Sequence, residues 1–332
     1  MIQTTARVSA VHKERYELFS DGERFFGKLK TGVYINGDEP YPTAGDFVTI
    51  LQNPAGDSII IQTHPRKSFF SRQDPDPGGH REQAVAANFD TVFIMQSLNQ
   101  DFNLQRLDRY LALAWQSGAV PVVVLTKADL IGDPSAHLRA AGSAAPGVDI
   151  IAVSAITGEG LADLEQYIQP GMTCVLLGSS GVGKSSLLNA LAGEDLMAVN
   201  TIREDDGKGR HTTTHRQLVT LPNGAHIIDT PGMRELGLWD ASDGLGEMFS
   251  DIEALLGSCR FSDCRHQTEP GCAVRAAMEN GDLPPKRWER YVKLKREALY
   301  AENKAAAAHE KRARFKEISM WSKANKKGGG KP

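Results

Sequence analysis

The sequence contains few cysteines, few aromatic residues and no long apolar run. Four of its 332 residues are cysteine and 7% are aromatic. A membrane-spanning helix needs roughly 20 apolar residues, and no stretch approaches that length. The N-terminus also lacks the basic start and apolar block of a signal peptide. These absences argue against a membrane or secreted protein, and we expect a cytoplasmic monomer without membrane contact.

The chain also lacks a strong overall charge of either sign. Its net charge is −3, so it is not a polycation over its whole length. The last thirty residues are nonetheless basic, because nine lysines and arginines face only Glu310 and Glu317 there. Such a basic end indicates a local contact with a polyanion, and a solvated helical face is the alternative.

The length predicts two or three domains, and the first is rich in short strands. Predicted strands lie at 14–20, 21–30, 32–37, 45–52 and 58–65. Five short strands broken by turn residues within 1–72 are typical of a closed β-barrel of the oligonucleotide-binding type, which would bind RNA. Residues 73–87 are rich in proline, glycine and charge and are predicted to be a linker.

The rest of the chain predicts two further domains. Residues 88–243 alternate between buried strands and helices, which predicts parallel βαβ units around one sheet. Residues 244–332 favour helices, because strong helix formers and an apolar stripe extend through 287–321. The predicted fold class is therefore multidomain, with a barrel, a central α/β domain and a mostly helical C-terminal domain.

A phosphate-binding motif, G-x4-G-K-S, lies in the central domain between an apolar strand and an apolar helix. Glycines let the backbone wrap around phosphates, and the following helix adds the positive end of its dipole. We expect Lys184 to contact the β and γ phosphates and Ser185 to hold Mg²⁺. The residues assigned to the nucleotide are Gly178, Ser179, Ser180, Gly181, Val182, Gly183, Lys184, Ser185 and Ser186.

A base-recognition motif favours guanine over adenine nucleotides. The segment 126–129 resembles the N/T-K-x-D motif of GTPases at a strand end. The Asp129 carboxylate can accept hydrogen bonds from N1–H and the N2 amino group of guanine, and adenine offers no matching donor pair. A second base-contacting loop is predicted at 154–155. The residues assigned to the base are Thr126, Lys127, Ala128, Asp129, Ser154 and Ala155.

A segment that resembles the D-x-x-G switch of GTPases follows a strand at 229–232. Asp229 would reach Mg²⁺ through water, and the Gly232 amide would sense the γ-phosphate. Met233 follows, where many GTPases have a glutamine that orients the attacking water. A methionine cannot do so, and slow intrinsic hydrolysis is therefore expected.

A Gly-rich, charged segment at 207–215 suits a mobile first switch. One of three consecutive threonines there should complete the Mg²⁺ shell, and we favour Thr213. His211 is a candidate catalytic residue that orients the attacking water. The alternative is an exposed loop histidine without a role.

The order of these motifs is unusual, since the base loops precede the phosphate loop. Ordinary GTPases have the reverse order, so the sequence predicts a circularly permuted GTPase domain, a rearrangement that a parallel sheet tolerates when its original termini are close. The switch at 229–232 then leads directly into the C-terminal domain. We hypothesise that loss of the γ-phosphate moves that domain.

The C-terminal domain contains a candidate metal centre. Its residues are Cys259, Cys264, His266 and Cys272. Three thiolates and one imidazole are the tetrahedral set that structural Zn²⁺ prefers, and four protein ligands leave no open position for catalysis. Buried cysteines with a surface histidine are the alternative.

Taken together, these features resemble the bacterial ribosome small subunit-dependent GTPase A family. The resemblance covers nearly the whole chain and rests on the segments 126–129, 178–186 and 229–232 and on the four metal ligands. It implies hydrolysis of GTP to GDP, binding to the small ribosomal subunit and its rRNA during late assembly, and stimulation by that subunit. A regulatory GTPase with a protein partner and a P-loop phosphotransferase are the two alternatives.

Overall fold

A computed structural model describes residues 2–13, 15–34, 39–73, 82–197, 217–229 and 242–301. The chain divides into two compact units. The first comprises residues 1–72 and 83–236, and the second comprises residues 73–82 and 237–332. Within the described ranges, no helix combines the length and apolar character needed to cross a membrane.

A closed barrel forms the N-terminal part of the first unit. Its strands are β1 (Gln3–Val11), β2 (Tyr16–Ser20), β3 (Glu23–Leu29), β4 (Phe47–Leu51) and β5 (Ser58–Thr63). They pair in the order β1-β2-β3-β5-β4, and β4 pairs back with β1. Val8, Leu18, Ile50 and Ile60 are fully buried in its interior. This is an oligonucleotide-binding type of barrel, and that prediction is confirmed.

The barrel differs from the prediction in two of its segments. The described part of the predicted strand 32–37 lies in a one-turn helix, α1 (Thr31–Tyr34). The amides of Val33 and Tyr34 both return to the carbonyl of Lys30, at 2.9 and 3.2 Å, which closes a helical turn. The strand that closes the barrel is β1, which the sequence analysis did not identify.

A two-stranded sheet of β6 (Phe69–Gln73) and β7 (Glu82–Ala87) follows the barrel. Residues 82–87 fall in the predicted linker but form a strand, because Val85, Ala86 and Ala87 are apolar and buried. The Ala87 amide donates to the carbonyl of Ala44 at 3.0 Å, so this strand packs on the barrel. Residues 74–81 of the predicted linker lie outside the described residues.

Six strands form the central α/β part of the first unit. They are β8 (Thr91–Ser97), β9 (Val120–Thr126), β10 (Asp149–Ala152), β11 (Thr173–Gly178), β12 (Gln217–Thr220) and β13 (His226–Asp229). Their order is β10-β9-β8-β11-β13-β12, and only β12 runs antiparallel to its neighbour β13. The carboxyl ends of the five parallel strands therefore meet at one edge, where ligands bind in such sheets.

Helices cover this sheet. They are α2 (Leu104–Gln116), α3 (Ser135–Ala144) and α4 (Lys184–Ala192). The predicted helix at 158–169 contains only a 3₁₀ turn at Ala162–Tyr167. Helix α3 and strand β12 were not predicted. Both are short, at ten and four residues, and such elements give weak periodic patterns.

The barrel and the central sheet share one continuous sheet of eleven strands, because β1 pairs with β12 at Ala10 and Gln217. A buried arginine supports this junction. Arg7 donates to Asn88 O at 2.9 Å, to Thr173 Oγ1 at 2.8 Å and to Gly45 O at 3.2 Å. Burial lowers the pKa of Arg7 to about 10, against the opposing effects of Asp90 and Asp46, so it remains charged at neutral pH.

Replacing Arg7 with alanine should destabilise the first unit. The variant removes a charged donor from three buried acceptors, of which only Gly45 O keeps a second donor among the described residues, the Asn88 side-chain amide at 3.3 Å. Losing hydrogen bonds from a charged group should cost about 3 kcal/mol of unfolding free energy. In a unit of this size, the melting temperature should fall by about 10 °C. Calorimetry of Arg7→Ala would check this. The control is Arg24→Ala, whose half-exposed guanidinium pairs with Glu17 at the surface and should change little. An equal fall in melting temperature in both variants would contradict the role of Arg7.

The second unit is helical in its described part. Its helices are α5 (Ser242–Met248), α6 (Ser250–Leu256), α7 (Ala273–Asn280) and α8 (285–301). Phe249 and Tyr291 pack edge to face at 5.4 Å in its core, and Arg287 forms a two-point ion pair with Asp251 at 2.7 Å for each bond. Residues 302–332, which include the whole basic end, lie outside the described residues.

Candidate nucleotide site and metal centre

The phosphate loop connects β11, the central strand of the α/β half, to α4. Residues 173–178 are all buried, and the loop opens only at Ser180 and Gly181. Gly181 and Gly183 have φ angles of +74° and +104°, which side chains rarely adopt. A Cβ at Gly178 would lie 3.0 Å from the Met95 carbonyl oxygen. The glycines of the motif are therefore required by backbone conformation and by close packing.

The lysine of the motif lies against the loop that it follows. The Lys184 Nζ donates to the carbonyls of Gly178 and Ser179, at 2.9 Å each. Ser185 and Ser186 are half-buried in the first turn of α4. The Lys184 ammonium therefore lies beside the backbone that would surround phosphates. It also lies at the N-terminus of the nine-residue helix α4, where the helix dipole is positive.

The first base loop is attached to the phosphate loop. Thr126, at the end of β9, donates through its hydroxyl to Val182 O at 2.6 Å. Lys127 then adopts a left-handed conformation with φ +61°, and the Ala128 amide donates to Val153 O at 3.1 Å. These contacts leave the Asp129 side chain exposed at the start of a 3₁₀ turn, where a base can reach it.

The second base loop orients the first. The Ser154 hydroxyl donates to Asp129 Oδ1 at 2.6 Å. The Ser154 Oγ in turn accepts the amides of Ile156 and Thr157, at 3.2 and 3.1 Å, which fixes the direction of its own O–H. Ala155 is half-buried beside it. The two predicted base loops are therefore in contact, and their assignment to the base stays a prediction.

The switch residues are only partly described. Asp229 is buried at the end of β13 and is paired in register with Leu176 of β11, two residues before the phosphate loop. The predicted role of Asp229 at Mg²⁺ stays a prediction. Gly232, Thr213 and His211 lie outside the described residues, so their assigned roles stay predictions.

The four predicted metal ligands converge in the second unit. Their ligand atoms all lie within 4.8 Å of one another. Cys259 and Cys272 have their sulfur atoms 4.0 Å apart, and each lies 3.5 Å from His266 Nδ1. A tetrahedral zinc ion with bonds of about 2.3 Å to sulfur places two sulfur atoms about 3.8 Å apart. The donor set and its spacing therefore fit Zn²⁺.

Backbone N–H groups in the first turn of α7 favour the thiolate form of Cys259, one of the metal ligands. Desolvation raises the pKa of the Cys259 thiol, but hydrogen bonds from the Ala273 and Val274 N–H groups and with Cys264 and Cys272 together lower it. The thiolate is the form that binds a metal. His266 packs edge to face against Trp288 at 5.5 Å, so the metal loop rests on α8.

A carboxylate that the sequence analysis did not single out organises the metal loop. Glu269 accepts the amides of Arg265, Gln267 and Thr268, at 3.0, 2.8 and 3.0 Å. The pKa of the Glu269 carboxyl is lowered to about 2 by hydrogen bonds from backbone N–H groups. The largest contributions come from the N–H groups of Glu269 itself, Gln267 and Arg265. These amides flank His266, which adopts an unusual φ of +61°. Glu269 thus holds the turn that presents the imidazole.

Replacing Glu269 with glutamine should weaken metal binding. An amide has one acceptor oxygen instead of two, so part of the loop loses its partner. Outer partners of metal ligands typically contribute about 10–100-fold in affinity, and we expect a loss in that range. A chelator competition titration with zinc would measure it. Glu279→Gln, which changes an exposed glutamate paired with Arg275 on α7, is the control. Unchanged affinity in Glu269→Gln would contradict this role.

The comparisons with known proteins agree with this geometry. Residues 63–239 match the RsgA GTPase family. The small ribosomal subunit biogenesis GTPase RsgA 2 of Listeria monocytogenes serotype 4b (strain F2365) is 47% identical over 315 residues, which cover 94% of this chain and 89% of the relative.

Solved structures show the same architecture. The crystal structure of YjeQ from Thermotoga maritima has a TM-score of 0.66 at 27% identity and covers 90% of this chain and 99% of that one. The structure of YloQ, described as a circularly permuted GTPase, has a TM-score of 0.63 at 24% identity, covering 90% and 95%. This second likeness concerns the fold alone.

The chain order agrees with permutation, since β8, β9 and β10 precede the phosphate-loop strand β11 that lies at the centre of their sheet. The family match covers more than half of the chain, and the 47% identical relative covers nearly all of it. This chain belongs to the RsgA GTPase family and is a GTP hydrolase with a circularly permuted GTPase fold.

Proposed function

We propose that this protein binds the small ribosomal subunit during its late assembly and hydrolyses GTP to GDP and phosphate there, with turnover stimulated by that subunit. The observation that supports the proposal most is the convergence of the base loops, the phosphate loop and Asp229 at one edge of the sheet. The relatives are described as small ribosomal subunit biogenesis GTPases, and this description supports the small ribosomal subunit as the partner.

The nucleotide chemistry follows from the residues at that edge. Asp129, oriented by Ser154, reads guanine, and Lys184 with the loop amides binds the phosphates. Ser185 and Asp229 would hold the Mg²⁺ that accompanies GTP. Mg²⁺ neutralises charge on the β and γ phosphates when bound. The Cys₃His centre holds one structural Zn²⁺, since four protein ligands leave no position for substrate.

The barrel offers a surface suited to RNA. Phe26 is 38% exposed on β3, and the Arg15 guanidinium lies 4.1 Å from the centre of its ring. Arginine stacked on an exposed aromatic ring is a platform on which bases can stack, although the Arg15 charge is itself paired with Asp57. We infer that the barrel contributes to rRNA binding.

Steady-state GTP hydrolysis, measured alone and with purified ribosomal subunits, tests the proposal. We expect slow turnover by the protein alone and a stimulation of at least tenfold by small subunits, with large subunits as the control. Lys184→Ala should abolish the stimulated activity and exclude a contaminating GTPase. Tight GTP binding without stimulation would contradict the ribosomal partner and favour a protein partner. ATP preferred over GTP would contradict the nucleotide chemistry and favour a phosphotransferase.

A further inference from the structure

A carboxylate outside the nucleotide motifs contacts the phosphate loop. Asp101 lies in the loop that joins β8 to α2, beside the phosphate-loop strand. The hydroxyl of Ser179, the second residue of the motif, donates to Asp101 Oδ2 at 2.7 Å. Ser179 is only 4% exposed, so the hydrogen bond is largely shielded from water. This contact ties the phosphate loop to the neighbouring loop on one side.

The Asp101 carboxylate is itself held in place. Arg106, in the first turn of α2, contacts its two oxygens at 3.1 and 2.9 Å and also donates to its backbone carbonyl. The Asn99 side chain accepts the Asp101 amide at 3.0 Å. The Arg106 charge offsets the carboxylate charge, which would otherwise repel phosphates. Asp101 can therefore orient the loop at little electrostatic cost to an anionic ligand.

The phosphate loop is held from its other side as well. The hydroxyl of Thr126, in the first base loop, donates to Val182 O near the end of the loop. Ser179 and Val182 enclose the part of the loop whose amides would face phosphates. A loop fixed at both ends loses less conformational entropy when it binds, and this strengthens binding.

We propose that Asp101 is a positioning residue for the nucleotide: fixed by Arg106, it orients the phosphate loop through Ser179 and slows the release of guanine nucleotides. The inference rests on the proposed nucleotide chemistry and does not depend on the ribosomal partner. Because GTP and GDP share the phosphates nearest the loop, both should be affected equally. Such uniform binding changes KM and leaves kcat unchanged.

Dissociation of fluorescent GDP and GTP analogues from the full chain, by stopped flow, tests the proposal. Asp101→Ala should accelerate both dissociation rates about tenfold, the scale of one hydrogen bond to a charged group. Ser179→Ala should give a similar acceleration, and the double variant should add little to either, since the two changes remove one interaction. Asp101→Asn keeps an acceptor oxygen for Ser179 and should accelerate release less than threefold.

The control is Asp133→Ala. Asp133 is also a loop carboxylate that precedes a helix, but it accepts the amide of Ser135 and should not alter release. Steady-state hydrolysis of Asp101→Ala should show a raised KM with kcat within twofold of the wild type. Unchanged release in Asp101→Ala, or fully additive effects with Ser179→Ala, overturns the proposal. A wild-type chain that binds neither nucleotide would instead contradict the nucleotide chemistry.

Discussion

Replacing Asp129 with asparagine should convert the protein from a GTP binder to a binder of xanthosine triphosphate. The carboxylate accepts from two guanine donors, and an amide can accept from only one while presenting its own donor to the other. Two hydrogen bonds to a charged group predict a loss of about 10²–10⁴-fold in GTP affinity. Xanthine has a carbonyl in place of the N2 amino group and so matches the asparagine.

Nucleotide competition measured with both triphosphates would check this exchange. The matched control is Asp133→Asn, which changes an aspartate four residues further along that accepts the Ser135 amide at 2.9 Å. Ser154→Ala should give a smaller loss of GTP affinity, because it removes the hydroxyl that orients Asp129 without removing the carboxylate. An Asp129→Asn variant that keeps GTP selectivity would contradict the assignment of the base loop.

Removing the metal should unfold the second unit while leaving the first intact. Three of the four described helices of this unit are short, with seven or eight residues in α5, α6 and α7, and helices of this length are marginal without tertiary support. Structural zinc contributes about 10–16 kcal/mol of binding free energy in small domains. Cys272→Ser removes a buried ligand, so the protein should lose its bound zinc and part of its helical circular dichroism.

Zinc content by mass spectrometry and GTP binding together test this expectation. Cys174→Ser is the control, because Cys174 is buried in β11 and its sulfur donates to Tyr167 O at 3.0 Å, away from the cluster. It should retain one zinc per chain. Loss of GTP binding together with zinc in Cys272→Ser would contradict the independence of the two units. Retention of zinc in that variant would contradict the assigned ligand set.

The nucleotide motifs could be predicted from the sequence because their backbone requirements are local. Gly181 and Gly183 adopt conformations that favour glycine. The positions of the glycines in the motif therefore predict the backbone conformation of the loop. Asp129 and Ser154 were assigned to the base separately, and the hydrogen bond between them follows from β9 and β10 being neighbours in the sheet. The metal ligands were predictable for a similar reason, since thiolate and imidazole chemistry is specific.

Other features could not be predicted because they depend on contacts between distant segments. Asp101 and Ser179 are 78 positions apart, and no spacing rule connects them. Arg7 looks like an ordinary strand residue, yet it contacts Asn88 and Thr173 at 81 and 166 positions away. Glu269 is close to the metal ligands in sequence, but only the fold shows that its carboxylate collects the loop amides. Contacts between distant segments decide the roles of Asp101 and Arg7, and the conformation of the metal loop decides that of Glu269.

The pairing of β1 with β12 has a consequence for how the protein is synthesised. Ala10 and its partner Gln217 are separated by 207 positions, the difference of their numbers. At about 5–20 residues per second, roughly 10–40 s pass between the emergence of the two strands. The barrel strands all precede residue 64 and can pair early in synthesis. The edge of β1 near Ala10 stays unpaired until β12 has been synthesised. A nascent chain with such an open edge is exposed to wrong pairing until β12 has been synthesised.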